Sequence, residues 1–183
     1  SLLVIPDSPA KGFPWVWRAR FFGHQPQADI ELLKRGFHLA DCDVAGLFGN
    51  QVAVERWNEF YQMLITQRGL SKKPALEGMS RGGLIIYNWA SENPEKVSCI
   101  YGDAPVCDIR SWPGGKGKGK GGGSAWKAAL KAHRITDEES KSAKVSPIYK
   151  LKPIADAGIP ILHVVGAADK VVPVDENLSL IHI

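Results

Sequence analysis

The sequence has no run of eighteen apolar residues, so no membrane-crossing helix can be read from it. It has no Cys-x-x-Cys, which removes zinc ribbons and thioredoxin-like redox motifs. Cysteine is scarce: Cys42, Cys99 and Cys107 are an odd set that gives no disulfide framework. A Cys99–Cys107 pair is one reading; buried free thiols are the preferred one. There is no large excess of charge of one sign. The formal charge of +4 is dispersed and does not argue for nucleic acid. The clearest basic cluster, Lys116, Lys118 and Lys120, lies in a glycine run. That run contains no Gly-Lys-Ser or Gly-Lys-Thr, which excludes a Walker-type phosphate loop. It can be aligned to Gly-x-Gly-x-x-Gly, but no strand precedes it, so the dinucleotide reading fails its context. The chain opens at Ser1 rather than Met, which leaves the compartment open, with a periplasmic or secreted setting compatible.

What is present is an ordinary globular composition, 44% hydrophobic and 23% charged over 183 residues, suited to one domain with a real core. Apolar runs bounded by turn residues alternate with segments of helical period. Strands are expected at 1–5, 14–19, 37–44, 75–77, 97–101 and 159–165. Helices are expected at 27–34, 52–68, 82–90 and 126–133. Such alternation implies a mostly parallel sheet with covered faces and a site at the carboxyl ends of its strands. The segment 111–144 interrupts the pattern. Its glycine–lysine stretch reads as a mobile surface loop, and its helix as a lid over a pocket.

Gly78-Met79-Ser80-Arg81-Gly82 is a Gly-x-Ser-x-Gly motif placed where a strand-like segment turns into a helix-like one. In that context it resembles the nucleophile elbow of the α/β-hydrolases. The serine must stand on a tight, strained turn, and the flanking glycines sit where a Cβ would clash as strand and helix pack. The N–H of Arg81 then opens a helix and can face a developing oxyanion.

Ser80 as nucleophile needs a histidine base and a carboxylate to orient it, in the order Ser, Asp or Glu, His. The preferred acid is Asp169. It follows a buried-looking strand and a glycine turn in Ile161-Leu162-His163-Val164-Val165-Gly166-Ala167-Ala168-Asp169. A plain Asx-turn is its bland alternative. Asp103 and Asp108 are the runners-up. Of the histidines, His38 and His163 lie in apolar strands and read as core residues. His24 follows the second strand, and His133 belongs to the lid-like helix. His182 alone follows Asp169, too closely to leave room for the intervening helix and strand, and is rejected as the base. The terminal Leu178-Ser179-Leu180-Ile181-His182-Ile183 is also what the mosaic end of a transposase sequencing adapter encodes. Residues 178–183 are therefore expected to be an adapter-derived tail.

From Leu3 to Asn177 the chain resembles bacterial α/β-hydrolases of the broad esterase and prolyl-oligopeptidase-like group. The resemblance is carried by Pro14-Trp15-Val16-Trp17-Arg18-Ala19-Arg20-Phe21-Phe22-Gly23, by the elbow, and by Gly166-Ala167-Ala168-Asp169-Lys170-Val171-Val172-Pro173. It implies an α/β-hydrolase fold: a mostly parallel sheet with helices on both faces. Relative to the family, residues 1–177 would be a partial domain lacking the N-terminal strands, the last helix and strand, and the catalytic histidine. The lid-like insertion would lie at about 111–144. The loop after the second strand would supply the other oxyanion donor; Arg18-Ala19-Arg20 replaces the usual His-Gly, and the N–H of Arg20 is the candidate. Ser followed by Arg is similar to the glucuronoyl esterases, in which the arginine side chain helps hold the oxyanion. The bland alternative is that Arg81 faces a structural carboxylate. Trp15, Trp17 and Trp112 are candidates for stacking on sugar rings, and equally for places in the core. The implied activity is serine hydrolysis of carboxylic esters, with a small-molecule or carbohydrate-linked ester as substrate and no metal or cofactor. The alternatives are a prolyl-oligopeptidase-like peptidase and a non-catalytic binding protein of the same fold.

Overall fold

The apolar runs become strands of one sheet. The computed structural model describes residues 1–180. In chain order they form β1 (Leu2–Val4), β2 (Trp15–Ala19), α1 (Gln27–Lys34), β3 (His38–Asp41), α2 (Gln51–Arg68), β4 (Ala75–Met79), α3 (Gly82–Glu92), β5 (Cys99–Asp103), α4 (Gly123–His133), α5 (Lys152–Asp156) and β6 (Ile161–Val164). The sheet order is β1-β3-β2-β4-β5-β6. Only β1 runs antiparallel to its neighbour. Parallel neighbours need crossovers; α1 joins β2 to its neighbour β3, α2 carries the chain from β3 past β2 to β4, and α3 joins β4 to its neighbour β5.

Side chains alternate across a strand, so the two faces of β2 can be followed separately. Trp15, Trp17 and Ala19 enter the main core, where Trp17 stacks on Trp57 of α2 at 3.9 Å between centroids and meets Trp89 of α3 edge-on at 5.2 Å. Arg18 points the other way and pairs with Asp29 of α1. Helices α2 and α3 therefore cover one face and α1 the other. Trp15 and Trp17 are 1% and 0% exposed. Of the two roles open to them, sugar stacking or the core, both take the core, because their period-2 spacing places them on the buried face. The helix α2 starts where the Asn50 side chain accepts the Ala53 N–H at 3.0 Å, and it stops at Gly69 in the left-handed region.

Two further expectations change. The buried-looking last strand, β6, pairs on one side with β5 and has no second neighbour among the described residues. Leu162 and Val164 are 62% and 50% exposed, while His163 turns inward to the Tyr87 hydroxyl. An apolar run shows that a strand forms, but not whether both its faces are covered. The glycine–lysine stretch is not a free loop. Lys118 is bonded through its N–H to Glu176 and through its ammonium to Asp175; Lys116 pairs with Asp137 at 2.7 Å, and the Lys120 N–H donates to the Lys170 carbonyl. Charges distributed along a flexible sequence find their partners far away in the chain, which local composition does not show.

The helix α4 joins a second, smaller apolar cluster. Trp126 and Ala129 pack with Phe48, Leu84, Val106, Ile109 and Val172. Asn50 Nδ2 donates to the Ala132 carbonyl, and a ring nitrogen of His133 lies 3.0 Å from the Phe48 carbonyl. Among the described residues no helix is long and apolar enough to cross a membrane. His182, and the Ile181 to Ile183 end of the expected tail, lie outside the described residues.

Candidate active site

The turn from β4 into α3 places Ser80 at φ 51°, a conformation a side chain rarely adopts without outside support. Here the backbone is held from three directions. The Ser80 N–H donates to the Asp103 carbonyl at 2.9 Å, and the Ser80 carbonyl accepts the N–H groups of Gly83 at 3.0 Å and Val106 at 2.8 Å. The flanking glycines permit the approach. A Cβ on Gly82 would run into the carbonyl oxygen of Ala19, and one on Gly78 would overlap Ile86 of α3. The turn thus brings the ends of β2, β4 and β5 together around a half-buried serine. The Arg81 N–H has no acceptor among the described residues, as befits a group at the start of a helix.

The clamp extends further along the chain. Just past Val106, the N–H groups of Cys107 and Asp108 both donate to Asn177 Oδ1, at 2.8 and 3.2 Å. Asn177 is 1% exposed, and its Nδ2 donates to Ser111 Oγ and the Pro173 carbonyl. Nothing in the local sequence singles this residue out. Cys107 is buried, and burial pushes its thiol well above the ordinary value, so it behaves as a small apolar side chain. All three cysteines are free thiols; Cys107 alone is fully buried.

Asp169 lies on the turn after β6. Its Oδ1 accepts the N–H groups of Val171 at 2.7 Å and Val172 at 3.0 Å. This is an Asx-type turn, and it leaves Oδ2 without a partner among the described residues. Both features fit one carboxylate at once, fixed through one oxygen and presenting the other. Of the runners-up, Asp108 is engaged by the Ser146 hydroxyl at 3.0 Å and the Arg110 N–H at 2.9 Å. Asp103 meets the Ser80 turn through its backbone carbonyl.

Among the described residues no histidine is hydrogen-bonded to the Ser80 hydroxyl. His38 is 4% exposed, with Nδ1 3.3 Å from the Pro14 carbonyl. His163 meets Tyr87, whose hydroxyl burial holds far above its ordinary value. His133 lies against Phe48, and burial lowers its pKa. His24 is exposed, with its ring edge toward Phe21 and its carbonyl accepting from Arg18.

The arginines divide sharply. Arg18 belongs to β2 itself, 3% exposed, not to the following loop. Its guanidinium joins Asp29, the His24 carbonyl and, at 3.4 Å, Glu77 of β4. Desolvation raises the pKa of both carboxyls, and Arg18 opposes the shift in each. Arg20 and Arg81 make no ion pair: no carboxylate among the described residues lies within 4.0 Å of either. The expected structural carboxylate for Arg81 is therefore absent among the described residues. The Arg81 guanidinium instead lies 5.5 Å from the Phe48 ring centre and 5.6 Å from that of Trp112. Arg20 has φ 59°, and its guanidinium lies 4.6 Å over Phe21.

No protein-family model matches the sequence, and no curated protein does. Solved structures do. A puromycin-hydrolyzing peptidase of Mycobacterium tuberculosis matches with a TM-score of 0.70 at 16% identity, over 95% of this chain and 29% of that one. A monoacylglycerol lipase of Paleococcus ferrophilus matches at 0.58 and 19%, over 98% and 82%. The chain has the α/β-hydrolase fold. An esterase of Pyrococcus furiosus with the same α/β-hydrolase fold matches at 0.60 and 16%, over 94% and 68%. The chain thus spans less than a third of the peptidase but most of the lipase. In a sheet of this kind the loops at the carboxyl ends of the strands gather the chemistry. Ser80, Arg20 and Asp169 follow β4, β2 and β6 at that end, with Arg81 beside Ser80.

Proposed function

We propose that the protein is a serine hydrolase that cleaves carboxylic esters through an acyl-enzyme. The observation that carries this reading is Ser80 held at positive φ between two glycines at the end of β4, the backbone requirement of a nucleophile elbow. In this mechanism Ser80 Oγ attacks the ester carbonyl carbon and its proton passes to a histidine base. That histidine then gives the proton to the departing alkoxide, and water hydrolyses the acyl-serine by the same path. Asp169 orients the base through Oδ2. The Arg81 N–H stabilises the oxyanion, and the Arg20 N–H is its proposed companion. The base itself is unassigned among the described residues. Carbohydrate-linked esters are the favoured class, with Trp112 the remaining tryptophan candidate for a sugar.

The test is labelling with a fluorophosphonate probe, using protein expressed from the complete native gene and Ser80→Ala as control. Labelling that disappears in the variant supports an activated serine. Activity on acetylated or glucuronoylated sugars, rather than on prolyl peptides, then supports an esterase. A correctly folded protein that takes no label refutes the hydrolase reading in favour of a binding protein of the same fold.

A further inference from the structure

Past the end of the sheet, the loops that follow β5 and β6 share little backbone. The Ala104 N–H donates to the Val164 carbonyl at 2.8 Å. After that rung, no backbone hydrogen bond among the described residues joins 105–110 to 165–177. Yet these two loops hold the two ends of the proposed chemistry. Val106 fixes the Ser80 carbonyl through its N–H at 2.8 Å, and Asp169 folds its own turn by accepting the N–H groups of Val171 and Val172. Val172 packs in the same apolar cluster as Val106, a contact that gives nearness but no direction.

Direction comes from one side chain. On the first loop, Asn177 Oδ1 accepts the N–H groups of Cys107 at 2.8 Å and Asp108 at 3.2 Å. Asn177 Nδ2 donates to Ser111 Oγ at 3.1 Å, further along that loop, and to the Pro173 carbonyl at 3.0 Å on the second. An asparagine side chain offers two acceptor and two donor positions, and here each of them is taken. At 1% exposed, these bonds face no competition from water. A buried, fully satisfied amide is rigid and fixes what surrounds it. The Pro173 carbonyl also accepts the Glu176 N–H at 3.2 Å, so the segment from Asp169 to Asn177 is bonded at both ends. Every step from Ser80 to Asp169 is then a peptide linkage or a hydrogen bond: Ser80 to Val106, Cys107 to Asn177, Asn177 to Pro173, Val172 to Asp169.

We propose that Asn177 is a positioning residue that holds the Asp169 carboxylate in register with Ser80, so that the histidine base is aimed by an acid placed from the serine side. The proposal rests on the reading of Ser80 as nucleophile and Asp169 as acid, and adds a residue that acts through Asp169.

The test measures labelling of Ser80 by a fluorophosphonate in protein expressed from the complete native gene. It is read as the rate constant of the fraction that labels, so lost folded protein does not enter it. Asn177→Ala should lower that constant roughly tenfold or more. The ascending limb of rate against pH should also move to lower pH. A base that loses its carboxylate holds its proton less tightly, and the substitution itself changes no charge. In an Asp169→Asn background the same substitution should cost less than about twofold, because the residue it acts through is already disabled. Asn177→Ser, whose side chain is too short to span both loops, repeats the cycle if Asn177→Ala does not fold. An undiminished loss in the Asp169→Asn background, or a limb that keeps its position, reduces Asn177 to a structural residue; either overturns the inference and leaves the hydrolase. Asp169→Asn that labels as fast as wild type overturns it as well. Wild-type protein whose Ser80 takes no label overturns the hydrolase reading, and the positioning role falls with it.

Discussion

The two faces of β2 are built on opposite principles. On one, Trp15 and Trp17 enter a core shared with Trp57, Phe60, Tyr61 and Trp89, where contact area and ring geometry supply the stability. On the other, one residue along, Arg18 is surrounded by Asp29 and Glu77. Apolar packing tolerates a change of shape at a cost set by the cavity left behind. A buried ion cluster tolerates the loss of all members better than the loss of one. The face that carries the charges also underpins the Arg20 to His24 loop, because Arg18 holds the His24 carbonyl. The apolar face thus mainly sets stability, while the charged face ties stability to the geometry of the site.

The largest effect should come from the aromatic face. Trp17→Ala removes a side chain stacked between two helices, and should cost about 5 kcal/mol, read as a lowered urea midpoint. Arg18→Met comes next at about 3 kcal/mol, because the orphaned carboxyls can take up protons rather than stay charged. Replacing all three, as Arg18→Met, Asp29→Leu and Glu77→Met, should recover most of that loss. A triple variant no more stable than the single would contradict the contrast between the faces. Gly82→Ala tests the edge where the faces meet the site. A Cβ forced against the Ala19 carbonyl should cost about 2 kcal/mol and slow fluorophosphonate labelling more than that loss of stability accounts for. The smallest effect is in pH. Glu77 and Asp29 have raised folded pKa values, so the folded state binds protons more readily than the unfolded one. Their contribution is full below the ordinary carboxylate range and is lost as pH rises through the raised values. Glu77→Gln should flatten that decline in urea titrations carried upward from the ordinary carboxylate range. An unchanged slope would place the linkage elsewhere.

The strands, the four longer helices and the strained serine turn were legible in the sequence because each is written locally: alternation, helical period, and glycines two residues either side of Ser80; α5, at Lys152–Asp156, is too short to show a period and was not. Asp169 was legible as a turn residue for the same reason. The ion cluster was not, since its members come from β2, α1 and β4. Its one local trace is a charged residue inside Trp15-Val16-Trp17-Arg18-Ala19. That the rings of Phe48 and Trp112 hold Arg81 was equally hidden, because both are distant in the chain.

Asn177 gives the serine turn a timetable. The carbonyl of Ser80 is fixed by the Val106 N–H, and the next two amides are fixed by the side chain of Asn177. A growing chain that has just completed α3 has the whole motif but not its clamp. The motif waits for a residue translated far later before its final brace can form. Pauses or early release upstream of that asparagine should yield chains with the sheet's first strands in place and a slack turn at Ser80.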